Sequence, residues 1–313
     1  MSIIEPSQEL SDAELSRRLR ALCDEKRAVL LSHYYQAPQV QDVADFVGDI
    51  LDLAHRACDT DADIIVLIGV YFMAETAKML NPGKKVLIPS LEAGCSLVDD
   101  CTVGALSELM GHYPKHKLVS YINCSLEVKA MSHILCTSAN AKKVIDSIPA
   151  NDGIIFAPDR NLGAYLSRET GRELLCWDAA CYLHDSFSVD MVEMAKSSHP
   201  QALLIAHPEC GAELLAMADF VGSTSQLLNF TANSSAEKFI VATEEGILHQ
   251  MRAKNPEKDF YPICEGSICR YMRLHSLKNI YRCLLEETPN ISVDGELARR
   301  ATVPLERMMA ISS

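Results

Sequence analysis

The chain has 313 residues, and its 42 acidic side chains outnumber 29 lysines and arginines to give a formal net charge of −13. This charge argues against nucleic acid or a membrane surface as a partner, although it is compatible with a locally basic pocket. The longest apolar run, Ile64–Ala74, is too short to cross a bilayer, and Met1–Pro6 lacks the pattern of a secretory signal. We therefore expect a cytoplasmic protein.

The first third of the chain alternates strand and helix patterns after an N-terminal tail and an amphipathic helix in residues 1–25. The predicted strands are Val29–Ser32, Phe46–Gly48, Ile64–Gly69 and Lys85–Ile88. The uninterrupted apolar run of the third strand is typical of a parallel sheet that helices cover on both faces.

The rest of the chain repeats this order twice. The predicted strands of the second third are Leu118–Ser120, Ile134–Cys136, Ile154–Ala157 and Leu174–Trp177. Those of the last third are Leu203–Ala206, Phe220–Gly222, Phe239–Ala242 and Phe260–Ile263. A closing helix is predicted at Leu277–Glu287, and no element after it. Strands that alternate with helices predict an α/β protein with parallel sheets.

A sequence repeat supports three similar units. The phrase Ala44-Asp45-Phe46-Val47-Gly48 recurs unchanged as Ala218-Asp219-Phe220-Val221-Gly222, and Ser132–Cys136 is an apolar run in the register midway between them. We predict three similar α/β units with short parallel sheets, whose equivalent loops can converge on one centre. The predicted domains are residues 26–112, 113–198 and 199–285, with an N-terminal tail and helix in 1–25 and a C-terminal tail in 286–313.

Polar triplets follow the first predicted strand of each unit. These triplets are His33-Tyr34-Tyr35, Tyr121-Ile122-Asn123 and His207-Pro208-Glu209. Ligands of parallel sheets bind beyond the carboxyl ends of the strands, so three equivalent loops could form one site. Histidine, tyrosine and glutamate are an acid–base set. Ser138, Ser223 and Thr224 lie at junctions between a loop and a helix, where hydroxyls bind carboxylate or phosphate or simply cap the helix.

Three of the twelve cysteines share a register in the repeat: Cys95, Cys181 and Cys269. Without a secretory signal, cysteine enrichment points to metal binding or catalysis rather than to disulfides. No C-x2-C pair occurs, which argues against zinc, whereas thiolates are the usual ligands of iron–sulfur clusters. Three cysteines on a four-iron cluster would leave one iron as a Lewis acid. Structural thiols are the alternative. The sequence contains no G-x-G-x-x-G motif and no P-loop, so a nucleotide site is not supported.

From about residue 26 to residue 285, the chain resembles the quinolinate synthase family. The motifs that carry the resemblance are His33–Gln36, Gly69–Ala77, Ala93–Leu97, Tyr121–Asn123, Thr137–Ala141, Ala157–Gly163, His207–Cys210, Gly222–Ser225, Ala242–Gly246 and Cys269–Met272. The resemblance implies three homologous three-layer αβα domains with short parallel sheets, in a pseudo-threefold arrangement around a central active site. It implies a [4Fe–4S] cluster bound by Cys95, Cys181 and Cys269. It also implies a transferase that condenses iminoaspartate with dihydroxyacetone phosphate to quinolinate, in the aspartate route to NAD.

The resemblance also assigns roles to single residues. It implies catalytic roles for His33, Tyr35, Tyr121 and Glu209. Residues at substrate-binding positions are His33, Ile50, Tyr121, Asn123, Ser138, His184, His207, Glu209 and Thr224. The family works with an L-aspartate-oxidising enzyme that supplies unstable iminoaspartate, which allows for transient contact between the two enzymes.

The chain departs from the family pattern in three places. Ile50 replaces a serine that helps to hold a substrate carboxylate, His133 replaces an aspartate, and the loop Trp177–Cys181 has alanine where glycine is usual. Cys264 also lies within reach of the third ligand position. We prefer Cys269, because it stands in a C-x-x-M sequence. One alternative is a paralogous iron–sulfur dehydratase or condensing enzyme whose substrate differs because of Ile50. The other is a non-catalytic cluster-binding sensor.

Overall fold

The computed structural model describes residues 11–312 and contains three sheets of four parallel strands each, flanked by helices. The predicted α/β class with three αβα units is therefore confirmed. The predicted N-terminal tail falls largely on residues 1–10, which lie outside the described residues. Within the described part of the chain, none of the helices is long and apolar enough to cross a membrane.

The elements follow the same order in each unit. The first unit consists of α1 (Asp12–Lys26), β1 (Ala28–His33), α2 (Pro38–Val43), β2 (Phe46–Gly48), α3 (Ile50–Asp59), β3 (Ile64–Ile68), α4 (Tyr71–Leu80), β4 (Lys85–Leu87) and α5 (Ser96–Asp99). The second consists of α6 (Val103–His112), β5 (Lys117–Tyr121), α7 (Leu126–Met131), β6 (Ile134–Cys136), α8 (Ala141–Ser147), β7 (Ile154–Ala157), α9 (Arg160–Thr170) and β8 (Leu174–Cys176). The third consists of α10 (Val189–Ser198), β9 (Leu203–Ala206), α11 (Ala212–Met217), β10 (Phe220–Val221), α12 (Thr224–Asn233), β11 (Lys238–Ala242), α13 (Ile247–Lys254), β12 (Asp259–Pro262) and α14 (Leu277–Glu286).

The three sheets share one strand order. It is β2-β1-β3-β4 in the first sheet, β6-β5-β7-β8 in the second and β10-β9-β11-β12 in the third. In the first sheet Leu31 pairs with Phe46 on one side and Leu67 on the other. Every residue of β3 is buried, as expected for a strand covered on both faces. Because all strands of a sheet are parallel, their carboxyl ends share one edge, and that edge carries the predicted site residues.

Two helices that the sequence patterns did not predict, α6 and α10, precede the first strands of the second and third units, as α1 does in the first. The closing helix α14 packs against α1, where Leu19 and Ile280 are fully buried in one apolar cluster. Glu287, at the end of α14, pairs with Lys26 and Lys85 of the first unit. Helix α14 therefore joins the third unit to the first and closes the three units into a ring.

The segment predicted as a C-terminal tail contains an 18-residue helix, α15 (Gly295–Ser312). It packs against α7 and β6, and its side chains at residues 301, 305 and 308 are fully buried, which is the spacing of one helix face. Just before it, the amide of Ile291 donates to the carbonyl of Val86, so the chain also pairs with the edge strand β4. The C-terminal segment thus ties the first unit to the second.

His133 lies where α15 meets the second unit. In the other two units the equivalent aspartates accept a backbone hydrogen bond, from Leu30 to Asp45 at 2.8 Å and from Leu204 to Asp219 at 2.7 Å. The amide of His133 keeps the backbone bond of its register by donating to Leu118 at 2.8 Å. Its carbonyl accepts from Arg307 of α15 at 2.6 Å. The strand therefore follows the common course although its carboxylate is replaced.

Candidate active site

One cavity at the meeting point of the three carboxyl edges brings together every predicted site residue. Its wall includes His33, Tyr35, Ile50, Cys95, Tyr121, Asn123, Ser138, Cys181, His184, His207, Glu209, Thr224 and Cys269. First strands contribute the polar triplets, second strands contribute the helix junctions, and fourth strands lead to the cysteines. The roles that the resemblance gives to these residues stay predictions.

His33 and His207 are held in the same way by their own loops. Nδ1 of His33 accepts the amide hydrogen of Tyr35 at 3.2 Å, and Nδ1 of His207 accepts that of Glu209 at 3.4 Å. Burial lowers the pKa of both rings to about 3, so both are neutral near pH 7. In a neutral ring with Nδ1 as acceptor, Nε2 carries the hydrogen. Nε2 of His207 lies 3.3 Å from the hydroxyl of Ser138.

Glu209 is a buried carboxylate that lies against two histidine rings. Its Oε2 lies 2.8 Å from Nδ1 of His184 and 3.9 Å from Nδ1 of His207. Burial alone would raise the pKa of Glu209, but the two histidines and a hydrogen bond from Tyr121 outweigh it and lower the pKa below its ordinary value. Glu209 is therefore ionised near pH 7. It can accept a proton from a substrate group that lies within hydrogen-bond distance.

Tyr35 and Tyr121 are buried phenols beside this carboxylate. Burial raises the pKa of both well above the ordinary value, and the charge on Glu209 raises it further. Both hydroxyls are therefore protonated near pH 7 and orient hydrogen bonds rather than carry charge. The ring of Tyr35 also contacts that of His33 edge to face, with centroids 4.5 Å apart.

The three predicted metal ligands face the same cavity from separate loops. Burial raises the pKa of Cys95, Cys181 and Cys269, and Glu209 adds to the effect on the first two. A metal cation removes this penalty, because it binds the thiolate and displaces the proton. Ligand atoms of Cys181, His184 and Glu209 lie within 4.8 Å of one another. The thiols, together with the imidazole and the carboxylate beside one of them, fit a metal cofactor.

Cys264 precedes Cys269 by one short loop. Its Sγ lies 3.2 Å from the hydroxyl of Ser267, in a position outside the residues that line the cavity. Cys269 lies in the cavity wall, and its amide points toward Oε1 of Glu244 at 3.4 Å. The location of the two sulfurs therefore agrees with the sequence preference for Cys269.

Other residues of the cavity wall offer groups for anionic oxygens. Thr224 is the first residue of α12, and Ser223 caps this helix by accepting the amide of Gln226. The expected cap at Ser138 is wrong, because α8 begins at Ala141 and Asn140 is its N-cap residue. The hydroxyl of Ser138 instead points to Nε2 of His207.

Asn123 and Ile50 complete this wall. Oδ1 of Asn123 is buried and has no hydrogen-bond partner among the described residues. Since buried polar atoms are rarely left unpaired, this atom indicates a ligand site. Ile50 is the first residue of α3, behind the capping residue Asp49, and it lines the same cavity.

Three buried residues that follow third strands were missed by the sequence argument. Asp159 accepts the amide of Cys181 at 3.1 Å and so holds that ligand loop. Glu244 lies beside the amide of Cys269 and pairs with Arg273 at 3.1 Å. Thr243 contacts two residues of the cavity wall. The sequence repeat could have identified two of these residues, because Asp159 and Glu244 follow equivalent strands of two units.

Comparison with known proteins shows the family of the chain. The family model of the quinolinate synthetase A protein matches residues 17–310. A quinolinate synthase of Microcystis aeruginosa is 49% identical over 304 residues, which cover 96% of this chain and 95% of the relative. One from Synechococcus is 47% identical over 307 residues, with 96% of each chain covered. One from Synechocystis is 46% identical over 314 residues, with 99% of each covered. The chain belongs to the quinolinate synthetase A family.

Proposed function

We propose that the protein is a transferase that condenses iminoaspartate with dihydroxyacetone phosphate and closes the ring to quinolinate for NAD biosynthesis. Atom balance requires that one phosphate and two water molecules leave. The single observation that carries the proposal is the shared cavity, in which three half-buried cysteines face an ionised glutamate and two neutral histidines. A supply of iminoaspartate requires an L-aspartate-oxidising enzyme, and we include transient contact with such an enzyme in the proposal.

We assign a [4Fe–4S] cluster to Cys95, Cys181 and Cys269. The three half-buried cysteines come from three loops and share one cavity, and this donor type suits iron–sulfur chemistry. With one iron not bound by the protein, the cluster would supply a Lewis acid for an oxygen that leaves as water. Asp159 would hold the Cys181 loop for this purpose through its bond to the Cys181 amide.

The two neutral histidines suit the binding of substrate oxygens. Since Nδ1 of each ring accepts a backbone hydrogen, Nε2 of His33 and of His207 is a donor. A neutral N–H donor binds a carbonyl or carboxylate oxygen, and the depressed pKa of each ring means that neither ring takes up a proton near pH 7. We therefore assign His33 and His207 to orientation and polarisation of the substrate.

Glu209 is the proton acceptor that the reaction needs. Condensation requires removal of a proton from carbon next to the imine, and later steps return protons to leaving oxygens. Glu209 is ionised, and Tyr121 donates to it. We assign the base to Glu209, orientation of its carboxylate to Tyr121, and hydrogen bonding to substrate oxygen to Tyr35.

Anionic groups of the substrates would bind where hydroxyls and a helix N-terminus line the cavity. Ser138 and Thr224 offer hydroxyls, and the amide end of the ten-residue helix α12 favours negative charge. Asn123 would pair its buried oxygen with a hydrogen-bond donor of the substrate. His184 would act through Glu209, to which it is bound.

One observation favours a second candidate. Ile50 lines the cavity where the family has a serine, and isoleucine cannot donate a hydrogen bond to a carboxylate. A related iron–sulfur condensing enzyme that acts on a substrate with one fewer carboxylate contact would have this residue. This second candidate is the weaker one, because the acid–base residues of the cavity are retained and the other polar groups match the larger substrate.

An anaerobic experiment tests the proposal. The purified chain is reconstituted with iron and sulfide, and it is then supplied with dihydroxyacetone phosphate and with iminoaspartate generated in place. We expect about four iron atoms per chain and quinolinate as product. Cys95→Ser should lower the iron content and abolish quinolinate, whereas the control Cys264→Ser should keep both. Full turnover by Cys95→Ser would reject the cluster assignment.

A further inference from the structure

The hydroxyl of Thr243 lies at the meeting point of all three units. It follows β11 of the third unit and is fully buried. Its Oγ1 is 2.7 Å from the hydroxyl of Tyr35, in the first unit, and 2.8 Å from Nε2 of His184, in the second. Both partners line the cavity.

The other face of His184 is bound to the acid–base group of the site. Its Nδ1 lies 2.8 Å from Oε2 of Glu209 and 3.2 Å from Sγ of Cys181. Because a carboxylate can only accept, Nδ1 donates to Glu209. The hydroxyl of Thr243 is the partner of the other ring nitrogen, Nε2, and also of the hydroxyl of Tyr35.

These two bonds hold the phenol of Tyr35 and the ring of His184 in place. Tyr35 is only 8% exposed, so loss of the threonine hydroxyl would leave the buried phenol and Nε2 of His184 without this partner. Buried polar groups that lose a partner are destabilised, so both side chains would be held less well.

Other buried threonines do not have this arrangement. Thr76 donates to the carbonyl of Phe72, and Thr231 donates to that of Leu228, each within its own helix. Such bonds satisfy a hydroxyl locally. Thr243 instead bonds two side chains from two other units, each with an assigned place in the site.

We propose that Thr243 is a positioning residue, which holds the hydroxyl of Tyr35 and the ring of His184 in the orientation that the reaction requires. The inference rests on the proposed function, because Tyr35 and His184 receive their roles there. Thr243 has no direct contact with substrate in this account, and it acts through its two partners.

The test uses two substitutions at one position in the reconstituted enzyme. Thr243→Val keeps the shape and removes the hydroxyl, whereas Thr243→Ser keeps the hydroxyl. We expect valine to lower kcat at least about tenfold with a smaller change in KM, and serine to stay within about threefold of the wild type. The control Thr231→Val removes a fully buried hydroxyl of the same unit and should leave kcat unchanged. Equal losses with valine and serine, or no loss with valine, would overturn the proposal.

A double-mutant cycle with Tyr35→Phe separates this inference from the proposed function. If Thr243 acts through Tyr35, Thr243→Val should lower kcat further by much less in the Tyr35→Phe background than in the wild type. Unfolding free energies of the same four proteins give a second cycle that needs no turnover. We expect the two destabilisations to be non-additive there as well. Absence of quinolinate with the wild-type chain would reject the proposed function, while additive unfolding energies would reject the role of Thr243.

Discussion

Nδ1 of His184 lies 2.8 Å from Oε2 of Glu209, and the two side chains are only 3% and 4% exposed. The same ring stacks on His207 with centroids 4.7 Å apart, and its Nδ1 lies 3.2 Å from Sγ of Cys181. One imidazole therefore connects the acid–base group of the proposed reaction to a proposed metal ligand. The effects of a substitution at Glu209 on turnover and on metal content can therefore be measured separately.

Replacement of Glu209 by glutamine should remove the proposed base and keep the shape. We expect kcat for quinolinate to fall by about 10²–10⁴, the usual contribution of a general base. Iron per chain should stay unchanged, since the glutamate is not a proposed ligand. The measurement is steady-state kinetics with an iron assay on the same sample. Glu213→Gln, on the exposed side of α11, is the matched control, and a wild-type rate for Glu209→Gln would contradict the assignment.

Ile50→Ser tests whether the site has changed its substrate. If isoleucine is tolerated, serine should change kcat/KM by less than about threefold, because Ser138, Thr224 and Asn123 already supply polar contacts. Ile50→Val keeps an apolar wall and serves as the comparison. A rise of tenfold or more with serine but not with valine would favour the paralogous enzyme instead.

Gly246→Ala should destabilise the contact between the first and third units. A Cβ atom there would lie 2.8 Å from the carbonyl oxygen of Tyr34 and 2.9 Å from that of Gln36, the two residues that flank Tyr35. Overpacking against backbone costs about 1–3 kcal/mol, and the shift of this loop should also lower kcat. Urea unfolding measures the first effect and turnover the second.

Gly104→Ala is the matched control for that substitution. Its Cβ meets nothing within 4 Å, and the residue lies in α6. Alanine should raise the free energy of unfolding by at most about 1 kcal/mol, because it lowers the backbone entropy of the unfolded chain. Equal destabilisation by both alanines would contradict the steric account of Gly246.

Acid should weaken the closure of the ring at Glu287. Hydrogen bonds from Lys26 and then Lys85 lower the pKa of Glu287 from 4.5 to about 2. A lowered pKa means that the ionised form stabilises the folded state, so this contribution is complete above about pH 4.5 and is lost as the pH falls toward 2. Wild type and Glu287→Gln should therefore differ in unfolding free energy at pH 6 and converge as the pH falls below 4.

Salt and a neighbouring residue control this prediction. The side chain of Glu287 is 30% exposed and that of Lys85 is 53% exposed, so 1 M NaCl should reduce the difference. Glu286→Gln breaks a pair with Arg282 inside α14 rather than a contact between units. It should show a smaller change with pH. An undiminished difference at pH 3 would contradict the role of the pair.

The repeat made much of the site predictable from sequence. His33, Tyr121 and His207 stand at equivalent strand ends, and parallel strands bring such ends to one edge. Thr243 could not be selected in this way. Its importance comes from a rotamer that meets Tyr35 and His184, and the relative placement of three units decides that contact.

The C-terminal helix shows why some elements escape sequence patterns. Pro304 lies inside α15, where its ring argues against a helix. The helix nevertheless forms because Leu305 and Met308 are fully buried where it packs on the second unit. Packing of this kind outweighs local propensity, and a local pattern does not report it.

The most direct test of the proposed reaction follows carbon from one substrate into the product. The reconstituted chain is given dihydroxyacetone phosphate with ¹³C at all three carbons and unlabelled iminoaspartate, under anaerobic conditions, and the product is analysed by mass spectrometry. The proposed condensation predicts quinolinate that is heavier by three mass units, and none when Cys95 is changed to serine. Unlabelled quinolinate, or no quinolinate from a chain that holds its cluster, would contradict the substrate pair.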